Sequence, residues 1–227
     1  MQYVLSVLLF LSIVGWGPFS FSSIPSNSWI DNETRLIKAH ANNIDSTVLK
    51  LSLKAYLNAE QRGLDRKALL TVIDYSKPSS EKRLWVIDIK HSNILFNTWV
   101  THGVNSGELN SSLFSNQRNS LKSSLGVFVT DNAYFSDHVG YALRVTGLER
   151  GINDNAYNRG VLIHGAWYAG SDVAKRGMLG RSWGCMAVDK KISKPLIDTI
   201  KNNTLVVAYY PDRTWLRTSS FLNSLTT

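Results

Sequence analysis

The only cysteine of this 227-residue chain lies in a segment that also contains one of its five histidines. The segment begins with the apolar run Val161–Ile163, passes directly into His164, and becomes apolar again at 186–188, immediately after Cys185. A short apolar run bounded by polar, glycine-containing loops is typical of a buried strand. Because a thiol can act as a nucleophile with an imidazole as its base, we take His164 and Cys185 as a candidate catalytic pair.

The residues before Cys185 favour catalysis over simple packing. A lone cysteine cannot form an internal disulfide, and the alternative is a small buried hydrophobic residue. Gly184 precedes the thiol, and glycine allows a sharp turn that exposes successive N–H groups, here those of Gly184 and Cys185, to an oxyanion. We therefore add Ser182 and Gly184 to His164 and Cys185 as candidate catalytic residues.

The pattern of His-Gly, a loop and then Ser-x-Gly-Cys resembles the L,D-transpeptidase catalytic domain, the YkuD-like family. The resemblance is closer to the branch known as murein L,D-transpeptidase catalytic domain proteins, and it covers roughly residues 65–213. Further motifs that carry it are Val100–Gly103, Ser106–Gly107, Phe114–Asn116, Ser123–Gly126, Arg181–Cys185, Pro195–Asp198 and Tyr209–Asp212. Trp183 and Ala187 depart from the commoner form, which has histidine and arginine or asparagine at these places.

The resemblance implies a mainly β fold of the α+β class, a YkuD-like β-sandwich or open barrel with one helix after the nucleophile. It implies a peptidoglycan L,D-transpeptidase, or an L,D-carboxypeptidase, that cleaves before the terminal D-Ala of a tetrapeptide stem and uses no cofactor. Cys185 would form a thioester, and His164 would act as general base and acid, oriented by a backbone carbonyl within residues 180–182. The candidate substrate-binding residues are His102, Ser124, Gly126, Arg159 and Trp183.

Several alternatives remain open. His102 has the alternative of a structural histidine bonded to a backbone carbonyl, and Arg159 that of a surface charge. The segments 114–116 and 123–126 have the alternative of simple turn chemistry. A catalytically inactive wall-binding protein would agree with Trp183 and Ala187 but not with the retained histidine, serine, glycine and cysteine. A cysteine peptidase or amidase of another fold is the third function, although papain-like enzymes have cysteine before histidine, whereas here His164 precedes Cys185.

The charge pattern limits the class of partner. The formal net charge is +8, but the basic residues are scattered among acidic ones and no nucleic-acid motif is present, so nucleic-acid binding is not predicted. A basic surface agrees equally with a polyanionic cell wall, and peptidoglycan stem peptides are the expected partners. The histidines show no HxxxH, HxH or HExxH spacing, so no metal site is predicted.

The first 23 residues are predicted to be a signal peptide or an N-terminal anchor. The apolar run Tyr3–Val14 is too short for a confident membrane span and resembles the core of a signal peptide. We therefore predict an exported protein, periplasmic or associated with the cell wall. It would contact the membrane only if this segment is retained.

Local patterns predict the remaining organisation. We expect a helical extension at 24–64, a catalytic domain at 65–213 and a tail at 214–227. Apolar residues recur at helical spacing over 44–57 and again over 192–200. Alternating residues predict a β-hairpin formed by 83–89 and 94–100, and residues 205–210 are predicted to form the last strand.

Overall fold

The computed structural model describes residues 27–41 and 43–223. The predicted signal peptide or anchor, residues 1–23, lies outside these described residues. Within the two described ranges, no helix is both long enough and apolar enough to cross a membrane.

The α-helices of the described residues are Asn27–His40 (α1), Ser46–Gln61 (α2), Ser171–Ala174 (α3), Lys190–Ile200 (α4), Arg213–Thr218 (α5) and Ser220–Asn223 (α6). α2 and α4 confirm the helices predicted over 44–57 and 192–200. α2 begins after Asp45, whose side chain accepts the N–H groups of Thr47 (2.8 Å) and Val48 (3.1 Å). These bonds satisfy donors that the first turn of a helix leaves unpaired.

The strands form one mixed sheet of eight: Leu69–Asp74 (β1), Leu84–Asp88 (β2), Asn93–Thr98 (β3), Gly126–Ser136 (β4), Gly140–Gly147 (β5), Leu162–Ala166 (β6), Met186–Asp189 (β7) and Leu205–Tyr209 (β8). Their order is β3-β2-β1-β8-β4-β5-β6-β7. The antiparallel pair β2–β3 confirms the predicted hairpin, and β8 confirms the predicted last strand. The pairs β1–β8 and β6–β7 are parallel.

The sheet curls until its two edges approach each other. Thr101, after β3, donates its N–H to Ala187 O on β7 at 2.9 Å, and Ser182 N–H donates to His102 O at 3.0 Å. The sheet is therefore nearly closed into a barrel, which confirms the open-barrel form of the predicted fold. Closure places the segment after β3 against the loop that carries Cys185.

Hydrophobic cores lie on both faces of the sheet. The core inside the barrel includes Ile163 of β6, Met186 of β7 and the apolar face of α4. A second core lies between the sheet and the two N-terminal helices. Because successive side chains of a strand point to opposite faces, the neighbours of Ile163 and Met186 point away from the barrel core.

The segment predicted as a tail, 214–227, packs on the domain as far as Asn223. Trp215 is only 1% exposed, and its indole N–H donates to Glu149 Oε2 at 2.9 Å. The Ser219 hydroxyl also donates to the Glu149 carboxylate. The described part of this segment is therefore a component of the fold rather than a loose appendage.

Candidate active site

The parallel pairing of β6 with β7 brings the two candidate catalytic residues together. Ile163 lies opposite Met186, and both side chains point into the barrel core. His164 follows the first of these residues on β6, so its side chain points to the opposite face of the sheet. Cys185 immediately precedes β7, and its Sγ lies 3.6 Å from Gly160 O, next to the start of β6. Strand spacing and rise per residue put the Cα atoms of His164 and Cys185 about 8 Å apart, within the combined reach of the two side chains.

His164 is held as a neutral base. Its Nδ1 lies 3.1 Å from Gly165 O, and because a carbonyl oxygen can only accept, Nδ1 carries the proton and Nε2 the lone pair. Burial lowers the pKa of His164, which keeps the ring neutral near pH 7. The orienting carbonyl is that of Gly165, so its predicted position within residues 180–182 is wrong.

Cys185 is held as a thiol. Its Sγ lies 3.6 Å from Gly160 O, to which the S–H donates. Burial raises the pKa of the Cys185 thiol, and a backbone hydrogen bond from Leu162 and the charge of Arg159 oppose that rise without cancelling it. The protonated thiol is therefore the resting form near neutral pH, and a base must remove its proton before it can attack.

Ser182 shapes the turn before the thiol. Its buried hydroxyl donates to Cys185 O at 2.7 Å and accepts the N–H of Gly184 at 3.2 Å. The second bond uses the Gly184 N–H that the sequence suggested as an oxyanion donor. Gly184 therefore contributes to the shape of the turn. Its predicted role as a donor to the oxyanion does not agree with this geometry, because its N–H is already bonded to Ser182.

We expect Gly184→Ala to lower activity by about 10- to 100-fold, because a small displacement of a nucleophile is costly. Gly184 has a φ of +113°, and a Cβ there would lie 2.8 Å from the backbone oxygen of Lys122. The matched control is Gly177→Ala, since Gly177 has a φ of +104° and no atom within 4 Å of the added Cβ. Equal steady-state rates for the two variants would contradict this role for Gly184.

Arg159 ties the serine-rich loop to the Cys185 turn. Its guanidinium donates to the backbone oxygens of Ser115 and Lys122 and to the hydroxyls of Ser120 and Ser124. The side chain is half-buried, so the alternative of a simple surface charge is wrong. Pairing of Arg159 with a substrate carboxylate stays a prediction.

The other candidate substrate-binding residues occupy different environments. Ser124 is 1% exposed and its hydroxyl donates to Ser115 O at 3.1 Å, while Gly126 is buried where a Cβ would strike the Glu149 side chain. The predicted direct contacts of these two residues with substrate do not agree with their burial. Trp183 is 81% exposed beside the thiol, and its contact with substrate stays a prediction.

His102 belongs to the closure of the barrel. Its side chain is 0% exposed, Nδ1 accepts from Arg83 Nη2 at 2.8 Å, and Nε2–H donates to Gly107 O at 3.2 Å. Burial and the charge of Arg83 lower the pKa of His102 to about 4. The predicted substrate contact does not agree with this burial, whereas the alternative of a structural histidine bonded to a backbone carbonyl does.

Acid is expected to destabilise the fold through His102. With a folded-state pKa of about 4 and an unfolded value near ~6.5, the unfolded chain binds the proton first as the pH falls through this window. The free energy of unfolding therefore falls by about 3 kcal/mol between these pH values. Urea unfolding at pH values from 7 to 4 measures this change in the free energy of unfolding. His102→Gln should make the free energy of unfolding depend less on pH, whereas His138→Gln, at an exposed position, should not. If the free energy of unfolding of all three proteins fell by the same amount between pH 7 and 4, His102 would not be the cause of the acid destabilisation.

Two clefts lie beside β6 and the residues just before it. The first, about 550 Å³, is lined by residues that include His164, Trp167, Tyr168 and Lys190. The second, about 270 Å³, is lined by residues that include Tyr134, Arg144, Tyr157, Gly160 and Leu162. Neither Trp167 nor Arg144 lies in a motif that marks it as a site residue. The alternation of β5 marks Arg144 as an outward-facing residue, but only the strand order shows that it lies near Cys185.

The candidate site is built from a thiol, an imidazole and hydrogen-bonding groups. Among residues 27–41 and 43–223, no group of three or more histidine, cysteine or carboxylate side chains is arranged to hold a metal ion.

A neutral imidazole on one strand of a nearly closed barrel and a thiol just before the neighbouring strand are the groups that cysteine-dependent acyl transfer requires. A family model described as the L,D-transpeptidase catalytic domain matches residues 40–209, about three quarters of the chain. The chain therefore belongs to the L,D-transpeptidase catalytic domain family, an acyltransferase class, which confirms the resemblance seen in the sequence. The match includes α2, which sequence analysis had placed in the extension at 24–64.

Solved structures show distant similarity. An L,D-transpeptidase from Mycobacterium smegmatis is 15% identical with a TM-score of 0.40, over 63% of this chain and 59% of that one. L,D-transpeptidase 3 from Mycobacterium tuberculosis is 16% identical with a TM-score of 0.37, over 63% and 61%. An Enterococcus faecium L,D-transpeptidase is 14% identical with a TM-score of 0.38, over 63% and 50%. The chain thus spans about half to three fifths of their length. No curated protein sequence matches it.

Proposed function

We propose that this protein is a peptidoglycan L,D-transpeptidase or L,D-carboxypeptidase with Cys185 as its nucleophile and His164 as its general base. The observation that carries the proposal is the hydrogen bond from His164 Nδ1–H to Gly165 O. It leaves Nε2 as the basic nitrogen, and the only thiol of the chain directly precedes β7, the strand paired with the one that carries His164. Membership of the L,D-transpeptidase family supports peptidoglycan stem peptides as the substrate.

The reaction consists of two half-reactions. His164 Nε2 takes the thiol proton as Cys185 Sγ attacks the carbonyl carbon that precedes the terminal D-Ala of a tetrapeptide stem. The intermediate collapses, the imidazolium gives its proton to the leaving amine, and D-Ala departs from a thioester. His164 then takes a proton from an amine of a neighbouring stem or from water. Attack of that nucleophile releases a cross-linked or shortened stem, and the proton returns to the sulfur.

The electrostatics of the two groups support this order of events. Burial raises the pKa of Cys185 and lowers the pKa of His164, so both groups are neutral before the reaction. Proton transfer therefore accompanies the attack, rather than preceding it as a stable ion pair. The charge of Arg159 favours the thiolate and thus the sulfur anion that forms and departs in the two half-reactions.

The proposal extends to the place where the protein acts. A net charge of +8 favours residence near a polyanionic wall, so we propose export to the periplasm or the cell wall. Contact with the membrane is proposed only if residues 1–23 are retained. The mechanism uses neither a cofactor nor nucleic acid.

Incubation with purified disaccharide-tetrapeptide, followed by mass spectrometry of the products, tests the function. Loss of the terminal D-Ala together with dimer formation indicates transpeptidation, and loss without dimers indicates carboxypeptidase activity. Fragments cut at another bond would indicate a different peptidase or an amidase. Unchanged substrate in the presence of folded protein would support an inactive wall-binding protein.

A further inference from the structure

The smaller cleft beside the nucleophile contains an arginine whose orientation is determined by two tyrosines. We call it the Arg144 cleft and define it by Tyr134, Arg144, Tyr157, Gly160 and Leu162, which line about 270 Å³. Its volume suits a small polar group such as the end of a peptide rather than a large apolar ligand.

The guanidinium of Arg144 is positioned by both aromatic rings. Its central carbon lies 4.4 Å from the Tyr134 ring centroid and 5.6 Å from that of Tyr157, and Nη1 donates to Tyr157 Oη at 3.0 Å. Stacking and hydrogen bonds to the side chains of Tyr134 and Tyr157 hold the guanidinium plane. A planar group held in this way matches the two oxygens of a carboxylate.

The positive charge of Arg144 has no anionic partner within the described part of the chain. None of the ion pairs between residues 27–41 and 43–223 includes Arg144. Tyr157 is 50% exposed, so the tyrosine–arginine cluster lies at the surface rather than in the core. A partly exposed, oriented guanidinium without an anionic partner in the described part of the chain is suited to binding an anion from solution.

The Arg144 cleft lies close to Cys185, the proposed nucleophile. Arg144 pairs with Leu162 across β5 and β6, and a backbone hydrogen bond from Leu162 reaches the Cys185 thiol. The Gly160 carbonyl that accepts the Cys185 S–H also lines the cleft. Two strand spacings separate the Cα atoms of Arg144 and Cys185 by about 10 Å, and the arginine side chain spans much of that gap.

We propose that Arg144, oriented by Tyr134 and Tyr157, is a specificity-determining residue that binds a free carboxylate of the peptide whose carbonyl Cys185 attacks. This inference rests on the proposed function. One residue of peptide spans roughly 3.5 Å, so the carboxylate of the leaving terminal residue lies within reach of the cleft. The other carboxylate that Arg144 would recognise in the same way is one on the side chain of the residue whose carbonyl is attacked.

Binding measured without turnover tests the proposal. In a Cys185→Ala background, isothermal titration calorimetry compares a tetrapeptide stem with its analogues amidated at the terminal carboxylate or at the side-chain carboxylate. Loss of a charge-assisted bidentate pair predicts that Arg144→Gln weakens binding of the unmodified peptide by about 10- to 100-fold. The analogue that lacks the carboxylate recognised by Arg144 should bind with equal affinity to the Cys185→Ala protein with and without Arg144→Gln. This result identifies which of the two carboxylates Arg144 binds.

Three further variants distinguish recognition from general charge or structure. Arg150→Gln removes the same charge from an exposed position and should leave binding unchanged. Arg144→Lys keeps the charge without the planar fork and should recover only part of the affinity. Tyr157→Phe removes the hydroxyl that bonds Nη1 and should weaken binding less than Arg144→Gln does.

Unchanged binding in Arg144→Gln, or equal weakening for all three peptides, would overturn the inference. Absence of binding by the parent Cys185→Ala protein would overturn it as well. Arg144-dependent binding together with no product from the wild-type protein would leave this inference standing and contradict the proposed enzymatic function, so the two failures are distinguishable.

Discussion

Cys185→Ala is expected to reduce release of D-Ala from a disaccharide-tetrapeptide by at least about 10³-fold, to the background of the assay. The chain has no second cysteine, so no other thiol can form the acyl intermediate. Initial rates measured by mass spectrometry on wild-type and variant protein give the ratio. The substitution removes only the sulfur atom from a partly exposed residue, so we expect the variant to fold. Thermal unfolding curves that match those of the wild-type protein would establish this.

Chemical modification gives an independent control for this loss. One equivalent of iodoacetamide should inactivate the wild-type protein, and Cys185→Ala should take up none. Burial raises the pKa of this thiol, so the alkylation rate should keep rising with pH beyond the range of an ordinary exposed cysteine. Retention of more than a tenth of the wild-type rate in Cys185→Ala would refute a thioester mechanism.

His164→Gln is expected to lower kcat/KM by about 10²- to 10⁴-fold, because glutamine cannot accept the thiol proton. Burial lowers the pKa of His164, so wild-type activity should fall only when the pH drops through that lowered value and the ring becomes protonated. The residual activity of the variant should lack this acid limb. Profiles of kcat/KM against pH for both proteins measure the effect.

His91→Gln is the matched control for the histidine experiment. His91 is an exposed histidine that pairs with Asp88 at 2.7 Å, and it lies on the β2–β3 turn rather than on the candidate site. Its replacement should leave the rate and the acid limb unchanged. If His164→Gln kept wild-type kcat/KM, or if the acid limb persisted in that variant, His164 would not be the general base.

Local elements were predictable because short-range forces define them. The apolar spacing of α2 and the Asp45 cap lie within one segment of sequence, and the structure confirms that helix. The hairpin of β2 and β3 likewise depends on neighbouring residues. The helix α4, with apolar residues on one face, follows the same rule. In each case the side chains that stabilise the element are close in the chain.

The roles of individual polar residues were less predictable because burial depends on contacts distant in sequence. His102 and His164 are both histidines followed by glycine. Barrel closure buries His102 against Arg83, whereas the β6–β7 pairing places His164 on the strand next to the one that Cys185 precedes. Arg159 likewise looks like a surface charge until the serine-rich loop folds onto it.

The sequence by itself determined the family and the main local elements and pointed to Cys185 and His164 as the candidate catalytic pair, because these reside in motifs and short-range periodicity. Tertiary structure alone decided that Gly165 orients His164, that Ser182 holds the turn before the thiol, and that Arg144 lies near it. The physical reason is that strand register and barrel closure decide which polar groups are buried and which partners they bond. Both depend on residues far apart in the chain.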